Sequence, residues 1–203
     1  MKYALTAAAM LMVSCSVFQP REPEAPDPNP GVQWQDPIHP TLVLANLQNS
    51  LGGLSVNFYS ACFHENFTFE ADPLDVSDPA FSGLNFSDWG RPVEVQTVSS
   101  IIYQAQASGA PRDSLASVFF MTNPGYPGDS PVPVDSTTVY RDYFIVAAGT
   151  LGCGWDRPSM GKAVITMVED EFGLWSIIRW EDNRVSGYTG EHYTWGVAKA
   201  LYR

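Results

Sequence analysis

Apolar residues recur along this chain with two different periods, and the change between them falls near residue 112. Before it the spacing is helical. Leu42, Val43, Leu47 and Leu51 lie on one face of a helix that Pro40-Thr41 opens and Gly52-Gly53 stops. Leu54, Phe58, Ala61 and Cys62 recur at steps of four, three and one, which predicts a second helix with Ser55 as its cap. Asn66-Phe67-Thr68-Phe69-Glu70 alternates apolar and polar and predicts a short strand, ended by Asp72-Pro73. Residues 73–90 read as loop. A third helix runs from Arg91-Pro92 to Ala107, with proline in its first turn and Val95, Val98, Ile101 and Ile102 on its buried face. After residue 112 the period is two, and 114–121, 137–148, 162–169 and 174–182 read as strands rich in β-branched and aromatic residues. Asp170-Glu171-Phe172-Gly173 joins the last two as a tight hairpin. Helices first and strands later predict an α+β domain, with three N-terminal helices packed on one face of a curved antiparallel sheet.

The first twenty residues follow neither period. Lys2 gives a positive start, residues 4–13 form an uncharged apolar run, and Ser14 and Cys15 follow. That is the shape of a secretory signal, and the run is shorter than the roughly 20 residues a membrane-spanning helix needs. Leu11-Met12-Val13-Ser14-Cys15 resembles the lipobox of bacterial lipoproteins, although Met12 stands where that motif prefers leucine. The resemblance implies that Cys15 carries lipid and that the protein is anchored to the bacterial cell envelope, periplasmic or surface-exposed. Residues 16–38 hold Pro20, Pro23, Pro26, Pro28, Pro30 and Pro37 with acidic residues between them, a segment that stays extended. The expected organisation is therefore a signal over 1–14, an acidic tether over 15–38 and one domain over 39–203.

Composition narrows the partners. The formal charge is −11, and removing residues 1–14 takes away one lysine and no acid, giving −12. The basic residues are scattered, which argues against nucleic acid. With 45% hydrophobic residues the domain can bury a core. If Cys15 carries lipid, Cys62 and Cys153 are left, and a disulfide between them and two buried thiols fit the sequence equally well. The disulfide would contribute about 4 kcal/mol in the chain-entropy model. His39, His64 and His192 are far apart and there is no CxxC, so neither a metal site nor a cofactor is expected.

Several segments together resemble the nuclear transport factor 2-like superfamily, which includes SnoaL-like proteins and ketosteroid-isomerase-like enzymes. They are Tyr59–Phe69 with Asp72-Pro73-x-Asp75, Trp89-Gly90-Arg91 with Glu94, and Gly161-Lys162-Ala163. Trp175-Ser-Ile-Ile-Arg-Trp180-Glu-Asp182 and the tail Tyr193-Thr194-Trp195-Gly196 with Lys199 and Tyr202 complete the set. The resemblance implies a cone-shaped α+β fold and a SnoaL-like small bacterial lipoprotein. It does not imply a function, because this fold carries isomerases, dehydratases, binders and adaptors.

Strict alternation over 174–182 puts Trp175, Ile177, Arg179 and Glu181 on one face and Leu174, Ser176, Ile178, Trp180 and Asp182 on the other. The expected ligand pocket is then lined by Phe67, Phe69, Trp89, Tyr143, Trp180 and Asp182. Catalysis by this fold needs a carboxylate base in apolar surroundings with an acid or hydroxyl opposite it. Asp182 is the candidate base, with His64, Asp142 or Tyr143 as its partner; a structural Asp182, capping a turn or paired with Arg91 or Arg184, is the alternative. Trp89, Trp175, Trp180 and Trp195 are either a stacking platform or core. Spacing alone reveals no catalytic dyad. The expectation is a non-catalytic envelope protein that binds a small apolar ligand or a protein partner. An isomerase or hydro-lyase using Asp182, and a dimeric scaffold, are the alternatives.

Overall fold

The computed structural model describes residues 32–107, 117–129, 135–146, 157–185 and 191–203. The signal segment, Cys15, the tether up to residue 31, and Cys153 lie outside the described residues.

Helix α1 (Pro40–Gly52) and helix α2 (Val56–Ala61) form where the apolar spacing places them. The Ser55 side chain accepts the Phe58 N–H as the α2 cap. Strand β1 (Phe63–Glu70) follows. The segment expected to be loop contains helix α3 (Pro73–Ser77) and a 3-10 turn at Pro79–Phe81. Asp72 initiates α3 by accepting the Leu74 N–H at 2.7 Å, and Asp78 does the same for Ala80 at 3.0 Å. Helix α4 spans Arg91–Ala107, the expected bounds. Strands β2 (Ser117–Met121), β3 (Ser136–Val146), β4 (Ser159–Glu169) and β5 (Trp175–Asn183) come next, and the chain closes with helix α5 (Trp195–Ala200), a segment expected only as a tail.

The five strands form one sheet in the order β1-β5-β4-β3-β2. The β2–β3, β3–β4 and β4–β5 pairs are antiparallel, but β1 runs parallel to β5. The sheet is therefore mixed rather than antiparallel. Helices separate β1 from the rest of the sheet in sequence, and a parallel pairing needs such a crossover.

Residues on β3, β4 and β5 alternate between buried and half-exposed. One face of the sheet thus carries the core, in contact with α1, α2, α4 and α5, and the other faces outward. The end of the expected tether lies on this core too. Trp34 stacks on Phe58 with ring centroids 5.3 Å apart, Asn46 exchanges hydrogen bonds with the Gln35 backbone, and the Pro37 carbonyl accepts the Trp175 N–H.

Alternation fails at one place in β5. The register with β4 shifts between Thr166 and Met167: Thr166 faces Arg179 while Met167 faces Ile177, so Ile178 is an extra residue. This bulge reverses the phase. Trp175 and Ile177 before it and Trp180 and Asp182 after it are all buried, whereas uniform alternation placed the two pairs on opposite faces.

Candidate functional site

Asp182 ends the buried face of β5 and is 1% exposed. Tyr143, two strands away on β3, donates its hydroxyl to Asp182 Oδ1 at 2.6 Å. The ring reaches there because Gly161 lies beneath it on β4: a Cβ at Gly161 would stand 2.2 Å from the tyrosine oxygen. Asp182 Oδ2 accepts the Gly196 N–H at 2.6 Å in the first turn of α5, and Tyr143 Oη accepts the Trp195 N–H at 2.7 Å. Burial pushes the Asp182 carboxyl up to about 7. The Tyr143 and Gly196 hydrogen bonds and the nearby Lys199 charge pull the other way. Burial and the Asp182 charge raise the Tyr143 hydroxyl well above its ordinary value.

A second buried cluster adjoins the first. Glu94, in the first turn of α4, accepts from Tyr59 Oη at 2.5 Å and from Trp89 Nε1 at 2.7 Å. Lys199 of α5 reaches the same carboxylate, with Nζ 2.7 Å from Oε2 and both side chains fully buried. The Lys199 ammonium lies 3.3 Å from the Phe69 ring centroid, 5.0 Å from Trp89, 5.5 Å from Trp180 and 5.7 Å from Trp195. Burial lowers the Lys199 pKa, opposed by Glu94 and Asp182.

A third group anchors the α5 cap. Thr194 donates to Asp75 Oδ2 at 2.6 Å, while its own hydroxyl oxygen accepts the Val197 N–H at 3.2 Å. Arg184 bridges Asp75 and Asp78, and its backbone N–H donates to Asp72. Burial raises the Asp75 carboxyl, opposed by Thr194 and Arg184. Helix α5 is thus held by three buried carboxylates from three different elements.

Of the residues expected to line a pocket, Phe69, Trp89, Trp180, Tyr143 and Asp182 do come together. Phe69 packs on Trp89 at 5.2 Å and on Trp180 at 6.2 Å, and Trp180 meets Tyr143 at 6.3 Å. Phe67 packs on Phe63 at 4.6 Å. All six are at most 4% exposed, so they form packed core rather than the walls of an open pocket. The four tryptophans Trp89, Trp175, Trp180 and Trp195 are core as well. Tyr143 is the partner of Asp182. His64 instead accepts the Asn66 N–H, and Asp142 accepts from Asn123 and Tyr126 at the surface. Arg91 holds Ser60 and Arg184 holds the Asp72–Asp78 turn, so neither pairs with Asp182. Cys62 is a buried free thiol that donates to the Phe58 carbonyl; burial raises its pKa.

The sequence reading missed Glu94 as a hub and Lys199 as a buried cation. The signal for Lys199 was present in the Trp195-Gly196-x-x-Lys199 spacing, which puts Trp195 and Lys199 one helical turn apart. Among the described residues no three His, Cys, Asp or Glu side chains are grouped to hold a metal ion, and no helix is long and apolar enough to cross a membrane.

Open space lies elsewhere. A groove of about 430 Å³ runs between α2 and α4, lined by Val56, Ser60, Arg91, Pro92 and Val95 with Glu65 at its side. A more polar hollow of about 370 Å³ lies under the β2–β3 loop, at Asn123, Tyr126, Asp129, Tyr140 and Arg141.

No family model matches the chain, and no curated protein matches it in sequence. Solved structures do resemble it. One is a Mycobacterium tuberculosis protein of unknown function, with 14% identity, a TM-score of 0.47 and coverage of 80% of this chain and 79% of that one. Another is a candidate scytalone dehydratase from Novosphingobium aromaticivorans, with 14% identity, a TM-score of 0.48 and coverage of 76% and 89%. A third is an NTF-2-like protein of unknown function from Shewanella oneidensis, with 9% identity, a TM-score of 0.45 and coverage of 70% and 93%. At these identities and TM-scores the likenesses assign no activity.

Proposed function

We propose that this protein is a non-catalytic binding module of the nuclear transport factor 2-like kind, held at the bacterial cell envelope by a lipid on Cys15. One observation carries the reading: both oxygens of Asp182 are engaged within the chain, by the Tyr143 hydroxyl and the Gly196 N–H, and the side chain is closed off from solvent. A general base must reach a substrate proton, directly or through one water. The ligand belongs in the groove between α2 and α4, whose volume of about 430 Å³ is within the range of small-molecule sites. Val56, Pro92 and Val95 offer it apolar contact, and Arg91, braced on Ser60, stands at its side.

Native mass spectrometry of the full-length protein, taken from its own host's envelope in mild detergent, tests this. A lipidated chain with a retained small apolar molecule supports the reading. An unlipidated chain that copurifies with nothing opposes it.

A second reading has its own observation. A carboxyl poised near 7 against a tyrosine hydroxyl is the kit of an isomerase or hydro-lyase. It requires α5 to move away, and turnover lost in Asp182→Asn would support it. A dimeric scaffold is the third reading, favoured by Phe119 and Met121, each 51% exposed on edge strand β2. Sedimentation showing only monomer at micromolar concentration opposes it.

A further inference from the structure

Lys199 is a cation with no path to water. Its side chain is 0% exposed, which lysine almost never is without a dedicated partner. Here the partners are of two kinds. Glu94 supplies a carboxylate oxygen at 2.7 Å, and that carboxylate is itself oriented by Tyr59 and Trp89. Four aromatic rings, Phe69, Trp89, Trp180 and Trp195, surround the ammonium within 6 Å of their centroids. Ring faces carry negative potential, so such a box with one carboxylate on its wall selects a cation over any neutral group.

Phe69 and Trp180 come from the sheet, Trp89 from the turn before α4 and Glu94 from α4; of the four rings Trp195 alone belongs to α5. The box is thus largely complete without the helix that fills it. Gly196 completes the fit from the other side. A Cβ there would stand 3.2 Å from Ala71 Cβ and Asp182 Oδ2 and 3.3 Å from the Phe69 ring, so a side chain at this position would push α5 a few tenths of an ångström away from the box.

We propose that Phe69, Trp89, Trp180 and Glu94 form a binding site for a primary alkylammonium group, and that Lys199 is its tethered occupant. The ligand class is an ammonium head on a short apolar stem, the chemistry of the lysine side chain itself. Because Lys199 is part of the chain, its effective concentration at the box far exceeds that of a free amine at millimolar levels. A free amine therefore binds only when the lysine is gone.

The test uses the full-length Lys199→Ala variant with n-propylammonium chloride, the fragment that the truncation removes. Thermal unfolding is followed against matched sodium chloride and n-propanol. The expected result is a lowered midpoint that propylammonium raises by about 5 °C or more near saturation. Neither control reproduces the rise, and the wild type does not respond. Adding Glu94→Gln abolishes the rescue, and Lys199→Met, which refills the box with a neutral stem, shows none. Equal midpoints in propylammonium and in the controls overturn the proposal. If Lys199→Ala does not fold unaided, the readout is the yield of folded protein on refolding from urea. Equal yields with and without propylammonium then overturn it.

Discussion

Tyr143 crosses strand β4 to donate to Asp182 Oδ1 at 2.6 Å, and its hydroxyl oxygen accepts the Trp195 N–H at 2.7 Å. One phenolic oxygen therefore ties β3, β5 and α5 together in a part of the core that water does not reach. Tyr143→Phe leaves a buried carboxylate oxygen and a buried backbone N–H without their partner. Each unsatisfied group costs about 1–3 kcal/mol. The expected outcome in urea titration is a loss of roughly 2–6 kcal/mol with an unchanged m-value. A loss below about 0.5 kcal/mol, the scale of neutral surface changes, would show that the hydroxyl is not holding α5.

The same pair makes stability depend on pH in an unusual direction. The Asp182 carboxyl is held at about 7 in the folded protein against 3.8 ordinarily. The folded state thus keeps a proton that the unfolded chain has released. This contribution is complete below 3.8 and is lost as pH rises through about 7, with a slope near 1.4 kcal/mol per pH unit between the two values. Asp75, also raised by burial, acts in the same direction. Asp129 is lowered mainly by its hydrogen bond to Arg141, and Asp78 mainly by the Ala80 N–H; their stabilisation is lost only as pH falls below 3.8. Chemical denaturation should give greater stability at pH 5 than at pH 8, and Asp182→Asn should shrink that difference. A pH profile identical in wild type and variant would refute the assignment.

Much of this fold is written locally. Pro92 and the spacing of Val98, Ile101 and Ile102 define α4, and Ser55 caps α2, because those signals act within one or two turns. Three features are not local. The Ile178 bulge leaves the composition of β5 unchanged, so period-two reading carries Trp175 and Trp180 to opposite faces although both are buried. The parallel β1–β5 pairing is a tertiary choice between segments more than a hundred residues apart. The burial of Lys199 depends on Glu94, 105 positions away in the chain, being brought beside it. The site residues Phe69, Trp89, Tyr143, Trp180 and Asp182 were legible as a group. That they are sealed under α5 was not, because a six-residue helix has almost no periodicity of its own.

Gly161 is the small residue that lets Tyr143 cross β4. An added methyl would stand 2.2 Å from the hydroxyl oxygen and 2.5 Å from Cζ, atoms of a rigid ring pinned at its far end. Gly161→Ala should cost at least about 1–3 kcal/mol, the usual range for overpacking. The cost should fall sharply when Tyr143 is already leucine. A double-mutant cycle over these two positions measures the coupling, and strictly additive losses would mean that the ring does not lie over Gly161.

The groove between α2 and α4 can be separated from the buried core by one substitution. Val95 is half-buried at the edge of the buried face of α4 and lines the groove, whereas Val98, Ile101 and Ile102 beside it are buried. Val95→Trp fills that space without touching Asp182 or Lys199, so its effect on stability should stay within about 0.5 kcal/mol. A ligand seated against Val56 and Pro92 would then be lost from the native mass spectrum, while the protein keeps its unfolding midpoint. If the variant retains the ligand at wild-type occupancy, the groove is not the binding site. If Tyr143→Phe rather than Val95→Trp releases it, the ligand belongs in the core under α5.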